Sequence, residues 1–164
     1  TMPNYIQVQG KQIGNLYVNG KKMQQAYVNG EMVYQAHVSR WSTVWTGSKD
    51  VSSEQSLSAA AFASSVDFSR PTRLQGKVIV SDGSDTQTSE FSLKEISSDA
   101  SHPTELYRDY ASDESIGAER LVYVAVYRNA SRLVVSQMQN YFTYGEMRSD
   151  YDLCLRITQI VQFA

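Results

Sequence analysis

Apolar and polar positions follow a ten-residue period over residues 8–38. Copies of a short pattern begin at Val8, Val18 and Val28, and each valine is followed by Gln-Gly or Asn-Gly and then by Lys or Glu. Another apolar residue stands five positions after each valine. Because an internal repeat marks a recurring structural unit, we interpret it before the rest of the chain.

The Asn-Gly pairs predict the structure of this unit. Asn19-Gly20 and Asn29-Gly30 are strong hairpin signals, since both central residues of a type I′ turn need positive φ. The runs between the turns are too short for an amphipathic helix. We therefore predict a meander of short antiparallel strands. Such a meander is marginal alone, so we expect it to pack on the remaining chain, a second copy or a larger assembly.

The period ends near residue 40, which predicts a boundary between a repeat meander (1–40) and a second domain (41–164). Turn signals in the second domain separate runs that are rich in β-branched and aromatic residues. The predicted strands are Trp41–Gly47, Arg73–Ser81, Thr86–Ile96, Leu121–Arg128, Arg132–Gln137, Tyr141–Tyr144 and Asp152–Phe163. The sequence thus predicts an all-β chain with an antiparallel, jelly-roll-like β-sandwich and at most one or two short helices.

Alternation within two strands predicts their faces. Trp41, Thr43 and Trp45 should share one face of their strand, with Val44 on the other. In the Thr86–Ile96 strand, Phe91 and Leu93 should share a face.

Three segments lack a clear strand pattern. Residues 48–56 are polar and serine-rich, and residues 97–119 are polar and acidic; both predict loops, the second with a short helical turn around Glu105–Tyr110. For residues 57–65 the sequence does not decide between a helix and a strand. A capping box from Ser52 and Gln55 before an alanine run favours a helix, whereas apolar alternation favours a strand.

Charge is divided unevenly between the two parts. Residues 1–40 hold four basic residues and one acidic residue, a net charge of plus three, and residues 41–164 hold eleven and sixteen, a net charge of minus five. The basic residues are scattered and form no stripe with aromatics, so we expect no nucleic-acid partner. The basic repeat favours either solubility or docking onto an acidic neighbour. Tyr17, Tyr27, Lys21 and Lys22 are the candidate interface residues.

The sequence predicts no catalytic, cofactor or metal site. His37, His102 and Cys154 are the only histidines and cysteine, too few for a recognisable zinc site. Cys154 lies in an alternating run and is expected to be a packed strand residue. No apolar run is long enough to cross a membrane, so we expect no membrane insertion.

Four carboxylates in the acidic segment are the best candidates for catalytic residues in this sequence. Asp109, Asp113, Glu114 and Glu119 could include a pair for glycosidic cleavage, but such pairs arise by chance in any acidic loop, and we favour that explanation. We therefore predict that the protein is not an enzyme.

Tyrosine is over-represented in this chain, which has eleven tyrosines. Exposed aromatic rings stack on sugars or anchor protein interfaces, although tyrosine also lines half-buried strand faces. Trp41, Trp45, Tyr107 and Tyr110 are the candidate saccharide contacts.

The segments Leu16–Met23 and Ala26–Gly30 resemble short repeats of tail-tip and tail-fibre proteins from long-tailed phages that infect Gram-positive bacteria. Val44–Ser48 is similar to the opening strand of β-sandwich domains in those proteins. The whole resembles a small tail-associated protein of a Bacillus-type siphophage, with a body similar to the N-terminal shoulder domain of phage receptor-binding proteins.

That resemblance implies a set of expectations. The family's receptor-binding proteins are commonly trimers whose shoulder attaches to the baseplate and whose separate head binds cell-wall saccharide. Residues 41–164 have strands for one sandwich, so we expect no head here. We expect a non-enzymatic virion or virion-assembly protein, made in the host cytoplasm and located in the phage tail, with other tail or baseplate proteins as partners. The alternative is a carbohydrate-binding module that contacts the host cell wall. The sequence leaves monomer and trimer open.

Overall fold

A computed structural model of the protein describes residues 6–8, 11–13, 15–35, 40–52 and 55–164. The chain divides into two compact units, Thr1–Arg40 and Trp41–Ala164. The predicted all-β fold is confirmed: the described secondary structure consists of antiparallel strands and one 3-10 turn. We call the first unit the hairpin unit and the second the sandwich.

The hairpin unit contains three two-stranded hairpins. Its strands are β1 (Ile6–Val8), β2 (Lys11–Ile13), β3 (Tyr17–Val18), β4 (Lys21–Lys22), β5 (Gln25–Val28) and β6 (Glu31–Gln35). Each odd-numbered strand pairs only with the strand that follows it, so the short hairpins are present but do not join into one sheet within the described residues. The reason is length: two residues per strand in β3–β4 leave no second edge long enough to continue a ladder.

The Asn-Gly turns have the predicted sign of φ. It is 51° at Asn19 and 75° at Gly20, and 51° at Asn29 and 79° at Gly30. Both loops connect strands through two residues, Val18 opposite Lys21 and Val28 opposite Glu31. Positive φ at both central positions is the pattern of a type I′ turn.

The sandwich has nine strands in two sheets. They are β7 (Trp41–Val51), β8 (Ser56–Ser58), β9 (Thr72–Ser81), β10 (Thr86–Glu95), β11 (Thr104–Asp113), β12 (Ala118–Asn129), β13 (Arg132–Tyr144), β14 (Met147–Asp150) and β15 (Asp152–Phe163). One sheet has the order β10-β9-β15-β7, and the other has the order β11-β12-β13-β14 with β8 also paired to β13. Since β11 to β14 are neighbours in both sequence and space, this sheet is a meander.

One core joins the inner faces of both sheets. Buried side chains alternate along β9 as expected for a strand with one covered face. In β12 the alternation of Val122, Val124 and Val126 is interrupted by the buried Ala125, beside a register shift. Leu74, Val78 and Leu155 of the four-stranded sheet belong to the same buried cluster as Val124 and Leu133 of the five-stranded sheet.

Gly76 marks the closest approach of two central strands. A Cβ at this position would lie 2.1 Å from the carbonyl oxygen of Arg156 on β15. Real side chains do not tolerate such a distance to a rigid backbone atom, so this contact requires glycine.

The loop predicted for residues 48–56 is wrong over its first part. β7 continues to Val51, which is buried, and Asp50 makes a bidentate pair with Arg156 across the sheet, with N–O distances of 2.6 and 3.0 Å. The Arg156 guanidinium lowers the pKa of the Asp50 carboxyl through this hydrogen bond.

The loop and helical turn predicted within residues 97–119 are also wrong. Residues Thr104–Asp113 form β11, which pairs along its length with β12. Leu106 is its only buried side chain. An edge strand that buries one residue has too little hydrophobic alternation to be recognised from sequence.

Residues 57–65 are neither an α-helix nor a long strand. β8 ends at Ser58 and is followed by a single 3-10 turn, Ala59–Ala61. One half of the predicted capping box is present, because the Ser52 N–H donates to Gln55 Oε1 at 3.4 Å, but no helix follows it.

Bulges overturn both predicted strand faces. In β7, Trp45 pairs with Ile160 and Thr43 with Val161, so Val44 is an extra residue and packs against the core together with Trp45. In β10, a register shift between Phe91 and Lys94 leaves Phe91 buried and Leu93 exposed. A bulge changes the face on which the following residues lie.

The positive φ values generate a prediction for the hairpin unit. Gly20→Val or Gly30→Val should destabilise its hairpin by roughly 1 kcal/mol or more, because a β-branched residue does not tolerate this conformation. Backbone chemical shifts of the hairpin residues measure the loss of the strand and turn conformation. Gly30→Asn is the matched control, since Asn adopts positive φ more readily. Equal behaviour of the Val and Asn variants would contradict the turn assignment.

Candidate functional site

The hairpin unit exposes apolar side chains on both faces. Tyr17, Val18, Tyr27 and Val28 are 51–59 % exposed, although adjacent strand residues point to opposite faces. Lys22 stands opposite Tyr17 and Lys21 opposite Val18. The Tyr27 hydroxyl donates to Gln25 Oε1 within its own strand, at 3.1 Å. The four candidate interface residues of the repeat therefore lie on an exposed surface that combines apolar area with positive charge.

The four candidate saccharide contacts do not form one site. Trp41 and Trp45 lie on β7 of one sheet, and Tyr107 and Tyr110 on β11 of the other. The Trp45 ring packs edge-on against Phe62 at 5.1 Å.

The remaining three aromatics have different surroundings. The Arg73 guanidinium covers the Trp41 ring at 3.8 Å. The Tyr107 hydroxyl donates to Ser89 Oγ at 3.1 Å, which ties β11 to β10. Tyr110 alone is largely exposed, at 53 %.

Tyr110 instead belongs to a row on the outer face of the five-stranded sheet. Leu121 is the direct cross-strand partner of both Tyr110 and Tyr141. Because Val122 and Val124 are in the core, alternation directs Leu121 and Tyr123 outward. We call Tyr110, Leu121 and Tyr141 the tyrosine row. The sequence could not reveal it, because cross-strand register joins residues that are distant along the chain.

Two arginines stack on tyrosines of this face. The Arg148 guanidinium lies 4.8 Å from the Tyr141 ring centre, and that of Arg108 lies 4.5 Å from the Tyr123 ring centre. The Tyr141 hydroxyl donates to Glu119 Oε1 at 2.8 Å, and this hydrogen bond raises the pKa of Tyr141. The face therefore combines aromatic rings with planar charged groups, the chemistry of both protein interfaces and sugar sites.

A polar cavity of about 380 Å³ lies beside the tyrosine row. Its lining includes Tyr141, Arg148, Asp150 and Asn140. The Asn140 side-chain amide is buried, and neither its nitrogen nor its oxygen has a hydrogen-bond partner within the described residues. A buried polar group of this kind is costly unless something satisfies it. The cross-strand partner of Asn140 is the core residue Val122, so this amide lies on the inner side of the sheet, opposite the tyrosine row.

Two of the four candidate carboxylates, Asp113 and Glu119, have hydrogen bonds that explain their positions. Asp109 and Asp113 lie four residues apart on β11, about 13 Å along the strand, which exceeds the separation in glycosidase pairs. The Asp113 carboxylate accepts hydrogen bonds from the Ser115 amide and hydroxyl in the following turn. Glu119 accepts from Tyr141, and Glu114 lies in the exposed turn after β11. The absence of catalysis stays a prediction.

The remaining candidates for chemistry are dispersed. His102 pairs with Asp99 on the surface, Nδ1 to Oδ2 at 2.8 Å, and this bond lowers the pKa of Asp99. His37 lies outside the described residues. Cys154 lies on β15 as a half-buried strand residue, and burial raises the pKa of its thiol. Across the part of the chain that the structure describes, no three His, Cys, Asp or Glu side chains converge as metal ligands would.

Comparison with protein families, curated proteins and solved structures gives no significant match. Within the described ranges, no helix has the length and apolarity that crossing a membrane requires.

Proposed function

We propose that the chain is a non-enzymatic virion or virion-assembly protein of a bacteriophage, an adaptor at the tail tip or baseplate related to receptor-binding-protein shoulder domains. The repeat resemblance supports the phage assignment. The observation that carries the adaptor role is the exposed apolar surface of Tyr17, Val18, Tyr27 and Val28 on the hairpin unit. Its partners are then other tail or baseplate proteins, and its location is the phage tail after synthesis in the host cytoplasm.

Physical chemistry explains why the hairpin unit suits attachment. Strands of two to five residues cannot bury both of their faces, and Tyr17 and Tyr27 remain more than half exposed. Tyrosine supplies large contact area with little rotamer entropy to lose, and it is enriched at energetic centres of interfaces. Lys21 and Lys22 favour a partner with an acidic surface. The hairpin edges also offer unpaired backbone for strand addition.

The adaptor role predicts that particle incorporation depends on residues 1–40. A chain that begins at Trp41 should remain folded with a cooperative melt, because the sandwich has its own core, but should be lost from purified particles. Mass spectrometry of the particles, with antibody labelling in the electron microscope, measures incorporation. Lys21→Glu with Lys22→Glu should reduce incorporation, and the effect should shrink at high salt because exposed ion pairs are screened.

Arg70→Glu with Arg132→Glu is the matched control. It changes the net charge equally, at exposed positions of the sandwich, and should leave incorporation unchanged. If the truncated chain unfolds, the hairpin unit is part of the core. If it folds and still enters particles, the attachment surface lies on the sandwich. Either outcome contradicts the proposal.

Carbohydrate binding is the second candidate, and the tyrosine row is the observation that favours it. Tyr110 and Tyr141 lie two strand spacings apart, about 10 Å, which is close to the length of one disaccharide. Arg148 and Asp150 beside them present the planar polar groups that bind sugar hydroxyls.

This candidate predicts sedimentation with purified, insoluble Gram-positive cell wall. Tyr110→Ala with Tyr141→Ala should weaken binding roughly tenfold, the equivalent of about 1.4 kcal/mol of lost stacking. Leu93→Ala removes an exposed apolar residue from the other sheet and should have no effect. We expect no release of reducing sugar in the same incubation. Release that disappears in Asp109→Asn or Asp113→Asn would show an enzyme instead.

A further inference from the structure

One end of the five-stranded sheet carries a second uncovered apolar surface. Ile116 is 51 % exposed, Tyr144 50 % and Met147 69 %. The turn after β11 and the turn after β13 bring these residues together, because the Gly145 N–H donates to the Gly117 carbonyl at 3.2 Å. We call Ile116, Tyr144 and Met147 the sheet tip.

Cross-strand register explains why the sheet tip is uncovered. Tyr144 pairs with Ala118, and Phe142 pairs with Arg120. Side chains at every second position from the buried Val122 lie on the inner side of the sheet, and this places Tyr144 and Phe142 there. Tyr144 is nevertheless half exposed. The inner face therefore continues beyond the core at this end.

A shallow apolar depression lies beside the sheet tip. Its volume is about 260 Å³, and its lining includes Ala111, Ala118 and Phe142. Exposed contiguous apolar surface with a polar rim is typical of interaction sites.

The rim of this surface is acidic. The two turns and their flanking residues, 113–117 and 144–147, hold the carboxylates of Asp113, Glu114 and Glu146 and no basic side chain. The nearby Arg148 guanidinium lies 3.4 Å from the Asp150 carboxylate and is compensated there. The sheet tip is therefore an apolar surface with excess negative charge.

The hairpin unit has the complementary chemistry. It exposes Tyr17, Val18, Tyr27 and Val28, and the lysines at 21 and 22 stand directly opposite the first two. If the two surfaces dock, the exposed apolar side chains of the hairpin unit contact those of the sheet tip, and the lysines approach the carboxylates. Every copy of the chain carries one of each.

We propose that the hairpin unit of one copy binds the sheet tip of a second copy. The two surfaces are unlike, so the contact is heterologous and joins copies head to tail. Such contacts produce a closed ring where the rotation closes and an open chain where it does not. This inference rests on the proposed function in one respect, since both assign binding to the hairpin unit. It goes beyond the proposed function by naming the surface to which the hairpin unit binds.

Mixing two full-length variants tests this directly by light scattering coupled to size exclusion. The hairpin variant is Tyr17→Ser with Tyr27→Ser, and the tip variant is Tyr144→Ser with Met147→Ser. The native chain should self-associate with rising concentration, and each variant alone should be monomeric. An equimolar mixture should form a heterodimer and nothing larger, because it retains one intact hairpin surface and one intact tip.

A charge exchange supplies independent variants with little risk to folding. Lys21→Glu with Lys22→Glu should weaken self-association roughly tenfold at low salt, and Glu114→Lys with Glu146→Lys in the second chain of a mixture should restore it. Leu93→Ser is the control, since it removes an exposed apolar residue elsewhere and should leave association intact. Thermal melts establish that every variant is folded.

Three results would overturn the inference. The native chain could stay monomeric at all concentrations. Docking of each hairpin unit on the sandwich of its own copy would give this result. The tip variant could self-associate like the native chain, which would indicate contacts between hairpin units. The mixture of variants could fail to form a heterodimer. Particle incorporation that still depends on Lys21 and Lys22 would leave the proposed function standing in each case.

Discussion

The sandwich depends on the central position of its last strand. β15 pairs with β9 on one side and with β7 on the other, so the four-stranded sheet is complete only when it is in place. Gly76 lets the backbones of β9 and β15 approach closely, and the Asp50–Arg156 pair joins β15 to β7. Gln162 adds a buried polar anchor: it accepts from the Asp67 amide and donates to the Asp67 carbonyl and the Thr72 hydroxyl. Both sheets then close over one apolar cluster.

The hairpin unit shows less packing within the described residues. Its strands pair only two by two there, and four large apolar side chains are more than half exposed, although Tyr34 is buried. A hairpin of this size loses about as much in chain entropy as its few contacts return, so we expect it to gain stability mainly when it binds another surface. The same argument applies in weaker form to the sheet tip and the tyrosine row, which belong to a stable sheet but leave aromatic area uncovered.

How far the sequence predicts this arrangement depends on local signals. β9, β12 and β15 were predictable because one covered face imposes alternation or continuous β-branched sequence, and the Asn-Gly turns were predictable because few residues accept positive φ. β11 was missed because it buries only Leu106, and β14 because all four of its side chains are exposed. The tyrosine row and the sheet tip could not be predicted, since cross-strand register and the contact between Gly117 and Gly145 join distant residues. Bulges at Val44 and after Phe91 changed the predicted faces for the same reason: an extra residue has no sequence signature of its own.

Hydrogen exchange resolved by residue measures the central claim most directly, that the hairpin unit needs a partner whereas the sandwich does not. In dilute protein, the amides of β3 to β6 should exchange with almost no protection, while those of β9, β12 and β15 should exchange only through global unfolding. The hairpin amides should become protected in purified particles or at concentrations where copies associate. Protection of β3 to β6 equal to that of β15 in the dilute monomer would contradict the account.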